Sequence, residues 1–222
     1  RVSGDRIMSV ADAGTLTPGT DEGVVDGSGL VLAPGFIDSH SHHGGGLDAD
    51  PVALEAVSQG VTTIVVGQDG GSYFPLAEYF VHLSQRPVAV NVASYSGHNT
   101  LRGEVLGEDF RRPATPEEVG RMTDLLEADM DAGALGLSTG LEYDPGIYST
   151  TEEVIELARG ASRHGGRYIS HMRSEDRYFW EAVEEIIEIG RAAEIPVQIS
   201  HTKLAMLGLW GQAERLVARL EA

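Results

Sequence analysis

Histidines at strand ends are the most informative residues of this chain. His40 and His42 close the run Gly35-Phe36-Ile37-Asp38-Ser39-His40-Ser41-His42. In an extended strand, residues two apart point the same way, so both imidazoles can face one ion. Imidazole nitrogens at that spacing suit zinc, iron or manganese. Taken alone, the pair reads equally well as surface histidines in a turn, because His43 and Gly44 follow. Two further histidines change the balance: His171 ends Tyr168-Ile169-Ser170-His171, and His201 ends Val197-Gln198-Ile199-Ser200-His201. Each stands just after an apolar run, where a strand emerges from a sheet. Four imidazoles so placed can hold one or two divalent ions, and two cations at close quarters need anionic ligands. Glu142, in Leu141-Glu142-Tyr143, is well placed to supply a carboxylate. Asp69, in Gly67-Gln68-Asp69-Gly70, competes for that role and also reads as an ordinary Asp-Gly turn.

The elements that must position these residues recur regularly. Apolar runs start at positions 31, 61, 88, 134, 167 and 195. Most intervals are near the roughly 30 residues that one strand-helix unit occupies. The runs are nearly continuous rather than alternating, as in a parallel sheet buried on both faces. Helix signals lie between them. Thr115-Pro116-Glu117-Glu118 sets an N-cap, a first-turn proline and a capping-box acid in order, and Thr150 with Glu153 repeats the box. Ser174 is the expected cap of a helix through Phe179, Val183 and Ile186, and a last helix is expected from Trp210 to Leu220. The stretch from Tyr95 to Arg112 reads as a long loop. Residues 1–30, with short apolar pieces among Gly, Asp and Thr, read as small antiparallel strands. Chemistry recurring at the ends of at least four strands must converge, which a closed barrel achieves more easily than an open sheet. The expected fold is therefore α/β, a (β/α)8 barrel of which residues 31–222 supply about six units.

Composition narrows the partners. The 222 residues carry 34 acidic and 16 basic side chains, a formal charge of −18, so nucleic acid is a poor partner. No stretch approaches the ~20 apolar residues of a membrane span, so a membrane is not an expected partner either. With no cysteine there is neither a disulfide framework nor a thiolate ligand, and a cytoplasmic setting is expected. Lys203 is the one lysine.

The run Ala33-Pro34-Gly35-Phe36-Ile37-Asp38-Ser39-His40-Ser41-His42 resembles the opening signature of the amidohydrolase superfamily. Ser96-Gly97-His98-Asn99-Thr100-Leu101-Arg102, the stretch Gly133 to Leu141, and His171-Met172-Arg173-Ser174-Glu175 resemble its N-acyl-D-amino-acid deacylase branch. The resemblance implies a metal-dependent barrel that hydrolyses the amide of N-acyl-D-amino acids, with zinc as one or two divalent ions. It also implies a small β-sandwich, represented here by residues 1–30. It makes His40, His42, His171 and His201 the imidazole ligands. Lys203 matches a substrate-holding position. Where relatives carry a Cys ligand in a Gly-Asn-Cys-Gly turn, this chain has Gly67-Gln68-Asp69-Gly70, so a carboxylate must substitute. Glu142 is slightly favoured over Asp69, because strand-four carboxyl groups bridge metals elsewhere in the superfamily.

Arg173 and Lys203 are the cations nearest at hand for a substrate carboxylate, with His98 and Arg102 expected at the entrance. Ion pairs of Arg102 with Glu104 and of Arg173 with Glu175 are the alternative. The general-base Asp of the family is expected beyond residue 222, and the 222 residues alone are expected to turn over little substrate. Two other readings compete: a cyclic amidase of the dihydropyrimidinase or dihydroorotase type, and a non-catalytic scaffold of the same fold. The first typically needs a carboxylated lysine on strand four, and no lysine lies there. The second leaves four retained histidines without a purpose.

Overall fold

A computed structural model describes residues 1–222, which divide into two units, Arg1–Pro34 and Gly35–Ala222. In the first unit, β1 (Val2–Ser3) and β2 (Arg6–Ile7) form an antiparallel hairpin. It contains no other strand: Val24 and Val25 are exposed and lie outside any strand, so the expected set of small strands reduces to this hairpin.

The second unit is built from parallel strands in chain order. β3 (Phe36–Asp38), β4 (Val61–Val66) and β5 (Asn91–Ser94) pair side by side, and β6 (Ser96–Gly97), β7 (Gly136–Gly140), β8 (Arg167–His171) and β9 (Val197–Ile199) do likewise. β5 and β6 are one stretch of chain interrupted at Tyr95. Tyr95 N donates to Val66 O at 3.0 Å, while Leu135 N donates to Ser94 O at 2.9 Å, so the stretch serves both neighbours. The result is six strand positions in sequence order without a reversal, unlike a doubly wound sheet. All five residues of β7 and the last four of β8 are buried, as a sheet covered on both faces requires.

The sheet is strongly curved. Six strands side by side in a flat sheet would hold the first and sixth about 24 Å apart. Here the ring centroids of His40, after β3, and His201, after β9, are 6.3 Å apart. Val65 of β4, Tyr95 and Ile169 of β8 close a small apolar cluster of their own, inside that curvature.

Helices cover the other face: α1 (Leu54–Val57), α2 (Leu76–Gln85), α3 (His98–Leu106), α4 (Pro116–Asp131), α5 (Thr151–Arg163), α6 (Phe179–Ala193) and α7 (Ala213–Leu220). The capping box of α4 forms in full, with Thr115 and Glu118 bonding each other's backbone N–H. A cap of this kind contributes about 1 kcal/mol. Thr150 caps α5 through Glu153 N, but the Glu153 carboxylate turns inward to other partners. No helix is long and apolar enough to cross a membrane.

Three local expectations need correction. The stretch Tyr95 to Arg112 is not a loop, because it contains α3, which buries Leu101 and Leu106. Its weak amphipathic pattern arises because polar His98 and Arg102 occupy buried positions and interrupt the apolar stripe. The first strand starts at Phe36 rather than Val31. Ser174 lies four residues before the cap position of α6, yet its hydroxyl accepts from Tyr178 N at 3.1 Å and organises the approach.

Candidate metal centre

The strand ends bring four histidines to one rim. The segment after β3 delivers His40 and His42, with ring centroids 5.2 Å apart; β8 delivers His171, and the segment after β9 delivers His201, 4.5 Å from it. Asp69 lies among them. One of its oxygens, Oδ2, is 3.4 Å from His40 Nε2 and 3.3 Å from His42 Nε2. The same residue groups with His171 and His201, all three offering ligand atoms within 4.8 Å of one another. Asp69 thus belongs to both histidine pairs. Glu142 belongs to neither pair as a whole: it meets His171 Nε2 at 2.8 Å, in a third group completed by Glu175. Of the two candidate carboxylates, Asp69 therefore lies between the pairs, and Glu142 lies beside His171.

Backbone conformation explains why Asp69 is there. Gly67 and Gly70 both have positive φ, +74° and +82°. A Cβ on Gly67 would collide with the carbonyl oxygen of Tyr95, and one on Gly70 with Asn99 Oδ1. Only glycine fits either place. Between them Asp69 itself adopts φ +53°, a conformation that Asp tolerates better than most residues. The turn is pinned by Gly70 N donating to Ser138 Oγ at 3.2 Å and by Gln68 Nε2 donating to Ser39 O and Val65 O.

The donor set fits a metal ion. Two ligands of one tetrahedral zinc, at bond lengths near 2.0–2.1 Å, lie about 3.4 Å apart. The separations of Asp69 Oδ2 from the two Nε2 atoms match that value and are long for charge-assisted hydrogen bonds, about 2.7–2.9 Å. Nitrogen and carboxylate oxygen suit zinc, and the absence of thiolate removes the softest alternative.

Burial and neighbouring charges together set the electrostatics of the rim. Burial, and then Asp69, Glu142 and Glu175, push the Tyr143 phenol above its ordinary value; its ring sits edge-on to His171 at 4.8 Å. Burial tends to raise the Glu175 carboxyl, yet hydrogen bonds from Lys203 and His201 leave it below the usual range. Sequence reasoning misses the part Glu175 plays here, naming it only within a motif and as a partner for Arg173. It also misses Ser200, whose Oγ donates to Asp69 Oδ1 at 2.8 Å. The signal available is proximity in sequence: Ser200 precedes His201, and Glu175 stands four residues after His171.

The four expected substrate contacts divide. Lys203 lies at the rim, half exposed, with Nζ 2.5 Å from Glu175 Oε2. Arg173 is committed to Glu185 through Nε and Nη2 at 2.9–3.1 Å, and to Ile147 O at 3.2 Å. Its ion-pair partner is Glu185, not Glu175. His98 and Arg102 do not line an entrance, because both are fully buried. His98 Nε2 lies 2.9 Å from Glu153 Oε1, and Arg102 grips both Glu153 oxygens at 2.5 and 2.6 Å. Arg102 also donates to Phe110 O and Arg112 O, so it pins the segment after α3 from inside. A cleft of about 300 Å³ opens beside His42, lined in part by Ser41, Val66, Gln68, Ser72 and Tyr73.

Comparison with known proteins identifies the family. The amidohydrolase family matches residues 23–215. The chain is 41% identical over 244 residues to the D-aminoacylase of Alcaligenes xylosoxydans xylosoxydans, covering 100% of this chain and 50% of that protein. A crystal structure of D-aminoacylase superposes with a TM-score of 0.79 at 37% identity, covering 85% of this chain and 44% of the other. The N-acyl-D-glutamate deacylase of Bordetella bronchiseptica, solved with zinc and a phosphonate inhibitor, gives 0.78 at 31% identity over the same shares. The chain spans about half the length of the curated relatives it matches. With its family profile matched over most of its length and its histidine-carboxylate rim at the strand ends, the chain belongs to the amidohydrolase family.

Proposed function

We propose that this protein is a metal-dependent hydrolase that cleaves the amide bond of N-acyl-D-amino acids, releasing the D-amino acid and a carboxylate. The observation that carries the reading is the position of Asp69, shared by the His40/His42 pair and the His171/His201 pair. Similarity to deacylases of N-acyl-D-amino acids supplies the substrate class.

His40, His42, Asp69, His171 and His201 would hold zinc, as one or two ions, with Glu142 adjoining His171. When bound, zinc supplies Lewis acidity toward an acyl carbonyl and lowers the pKa of water to about 7. Lys203 offers a point charge for the substrate carboxylate, steadied by Glu175. Arg173 is not assigned that task, since Glu185 already occupies its fork. The cleft beside His42 has room for a small acyl group or side chain, and the Tyr143 ring shields His171 from water on one side.

Three structural features favour a closed (β/α)8 barrel as the complete fold: strand order without reversal, strong curvature, and the apolar cluster shared by β4 and β8. We assign residues 31–222 to its first six units and residues 1–30 to a small β-sandwich domain. A cysteine-free chain fits a cytoplasmic setting.

The test is hydrolysis by the full gene product loaded with zinc. Release of acetate from N-acetyl-D-amino acids, with the L-enantiomers untouched, is expected. Equal or exclusive use of the L-enantiomers contradicts the assignment.

A further inference from the structure

We propose that Glu175 is a positioning residue that locks the His201 imidazole in one tautomer and ties it to Lys203, so that a metal ligand and the substrate-facing cation behave as one unit. The inference rests on the hydrolase reading above and deepens it.

Glu175 sits in the segment between β8 and α6, its side chain only 5% exposed. A carboxylate so buried is costly unless every oxygen is used. Oε1 lies 2.5 Å from His201 Nδ1 and accepts from Lys203 N at 3.4 Å. Oε2 lies 2.5 Å from Lys203 Nζ and 3.9 Å from His171 Nε2. Its backbone carbonyl accepts from Ala205 N at 3.0 Å, which ties the two segments together independently of the side chain. The carboxylate is therefore free to specialise in the imidazole and the ammonium.

Hydrogen-bond chemistry gives this arrangement two consequences. An acceptor on Nδ1 keeps the proton there, which leaves the Nε2 lone pair for an ion. The same carboxylate offsets the Lys203 ammonium, which would otherwise repel a divalent cation held two residues away. Loss of Glu175 should therefore release both effects together, while loss of Lys203 should leave the Oε1 bond to His201 intact.

The experiment uses the full gene product and reads two quantities: zinc affinity by competition with a chelator, and the His201 tautomer by 15N NMR of the metal-free protein in mildly alkaline buffer. The wild type is expected to show His201 protonated on Nδ1. Glu175→Ala is expected to move the proton toward Nε2 and to weaken zinc by about 10–100-fold. Lys203→Met is expected to keep the wild-type tautomer. A purely structural role for Glu175 would lower thermal stability without moving the tautomer. Unchanged tautomer and zinc affinity in Glu175→Ala overturn the inference and leave the hydrolase reading standing. A wild type that binds no zinc overturns the hydrolase reading and this inference together. The wild-type tautomer needs no variant, so a Glu175→Ala protein that fails to fold still leaves a decisive result: His201 protonated on Nε2 overturns the proposal.

Discussion

Ser200 Oγ donates a 2.8 Å hydrogen bond to Asp69 Oδ1, joining residues 131 positions apart in the chain. The bond links the turn after β4 to the end of β9, and it leaves Asp69 Oδ2 directed at His40 and His42. A carboxylate has two donor atoms and a free torsion, so its direction has to be set by a neighbour. Ser200→Ala should weaken zinc binding by about 10–100-fold with the fold intact, read by chelator competition beside circular dichroism. Asp69→Asn should lose more affinity than Glu142→Gln, because Asp69 belongs to both histidine pairs. The reverse ranking would return the shared role to Glu142.

Glu153 is held by His98 and Arg102 in a site closed to solvent. Burial pushes its carboxyl up, but the His98 and Arg102 interactions prevail and hold it below the ordinary range. Glu153→Gln leaves a buried guanidinium without its counter-charge, which should cost about 3–5 kcal/mol. Denaturant unfolding measures this. A loss well under 1 kcal/mol would mean that water reaches Arg102. In wild type this lowered carboxyl stabilises the fold above its unfolded pKa, and the contribution disappears as pH falls through the folded value.

Asp129 behaves in the opposite sense. Burial raises its pKa, only partly offset by bonds from Ser96 Oγ at 2.6 Å and Leu76 N at 3.0 Å. The folded state then binds the proton more tightly than the unfolded state. Its contribution is fully present below the unfolded value near 3.8 and is lost as pH rises through the raised folded value. Asparagine can make both bonds without ionising. Asp129→Asn should therefore gain on wild type as pH rises through that window, by about 1.4 kcal/mol for every tenfold by which folding tightens the proton's hold on Asp129. Unfolding curves at a series of pH values test this, and a stability difference independent of pH would contradict it.

Arg173 and Lys203 look alike in sequence, each within two residues of a ligand histidine. Their partners separate them: Arg173 is fully engaged by Glu185 and Ile147 O, whereas Lys203 stays half exposed at the rim. Lys203→Met should raise KM for N-acyl-D-amino acids, while Arg173→Met should lower stability with KM little changed. Steady-state kinetics with thermal melts distinguish the two, and a raised KM in Arg173→Met alone would reverse the roles.

These residues also mark what is legible before folding. Strand ends carrying His40, His42, His171 and His201 are readable because strand periodicity and apolar runs are local signals. The α4 cap at Thr115 is readable for the same reason. Helix α3 is not, since its buried positions include His98 and Arg102, and their burial depends on Glu153, which is 51 residues away from Arg102. The placement of Asp69 between the histidine pairs, with Glu142 beside His171, is likewise closed to sequence. It depends on how far the sheet curves, a property of all six strand positions rather than of any one segment. The roles of Ser200 and Glu175 escape notice because hydroxyls and acids within such runs are common, and only distances single them out.

The catalytic reading turns on Asp69 joining two histidine pairs around bound zinc. Anomalous X-ray scattering at the zinc edge, on crystals of the zinc-loaded full gene product, would show whether it does. A peak bounded by His40, His42 and Asp69 is expected, with any second peak bounded by Asp69, His171 and His201. Zinc found only at other residues, or no zinc at this rim, would contradict the assignment.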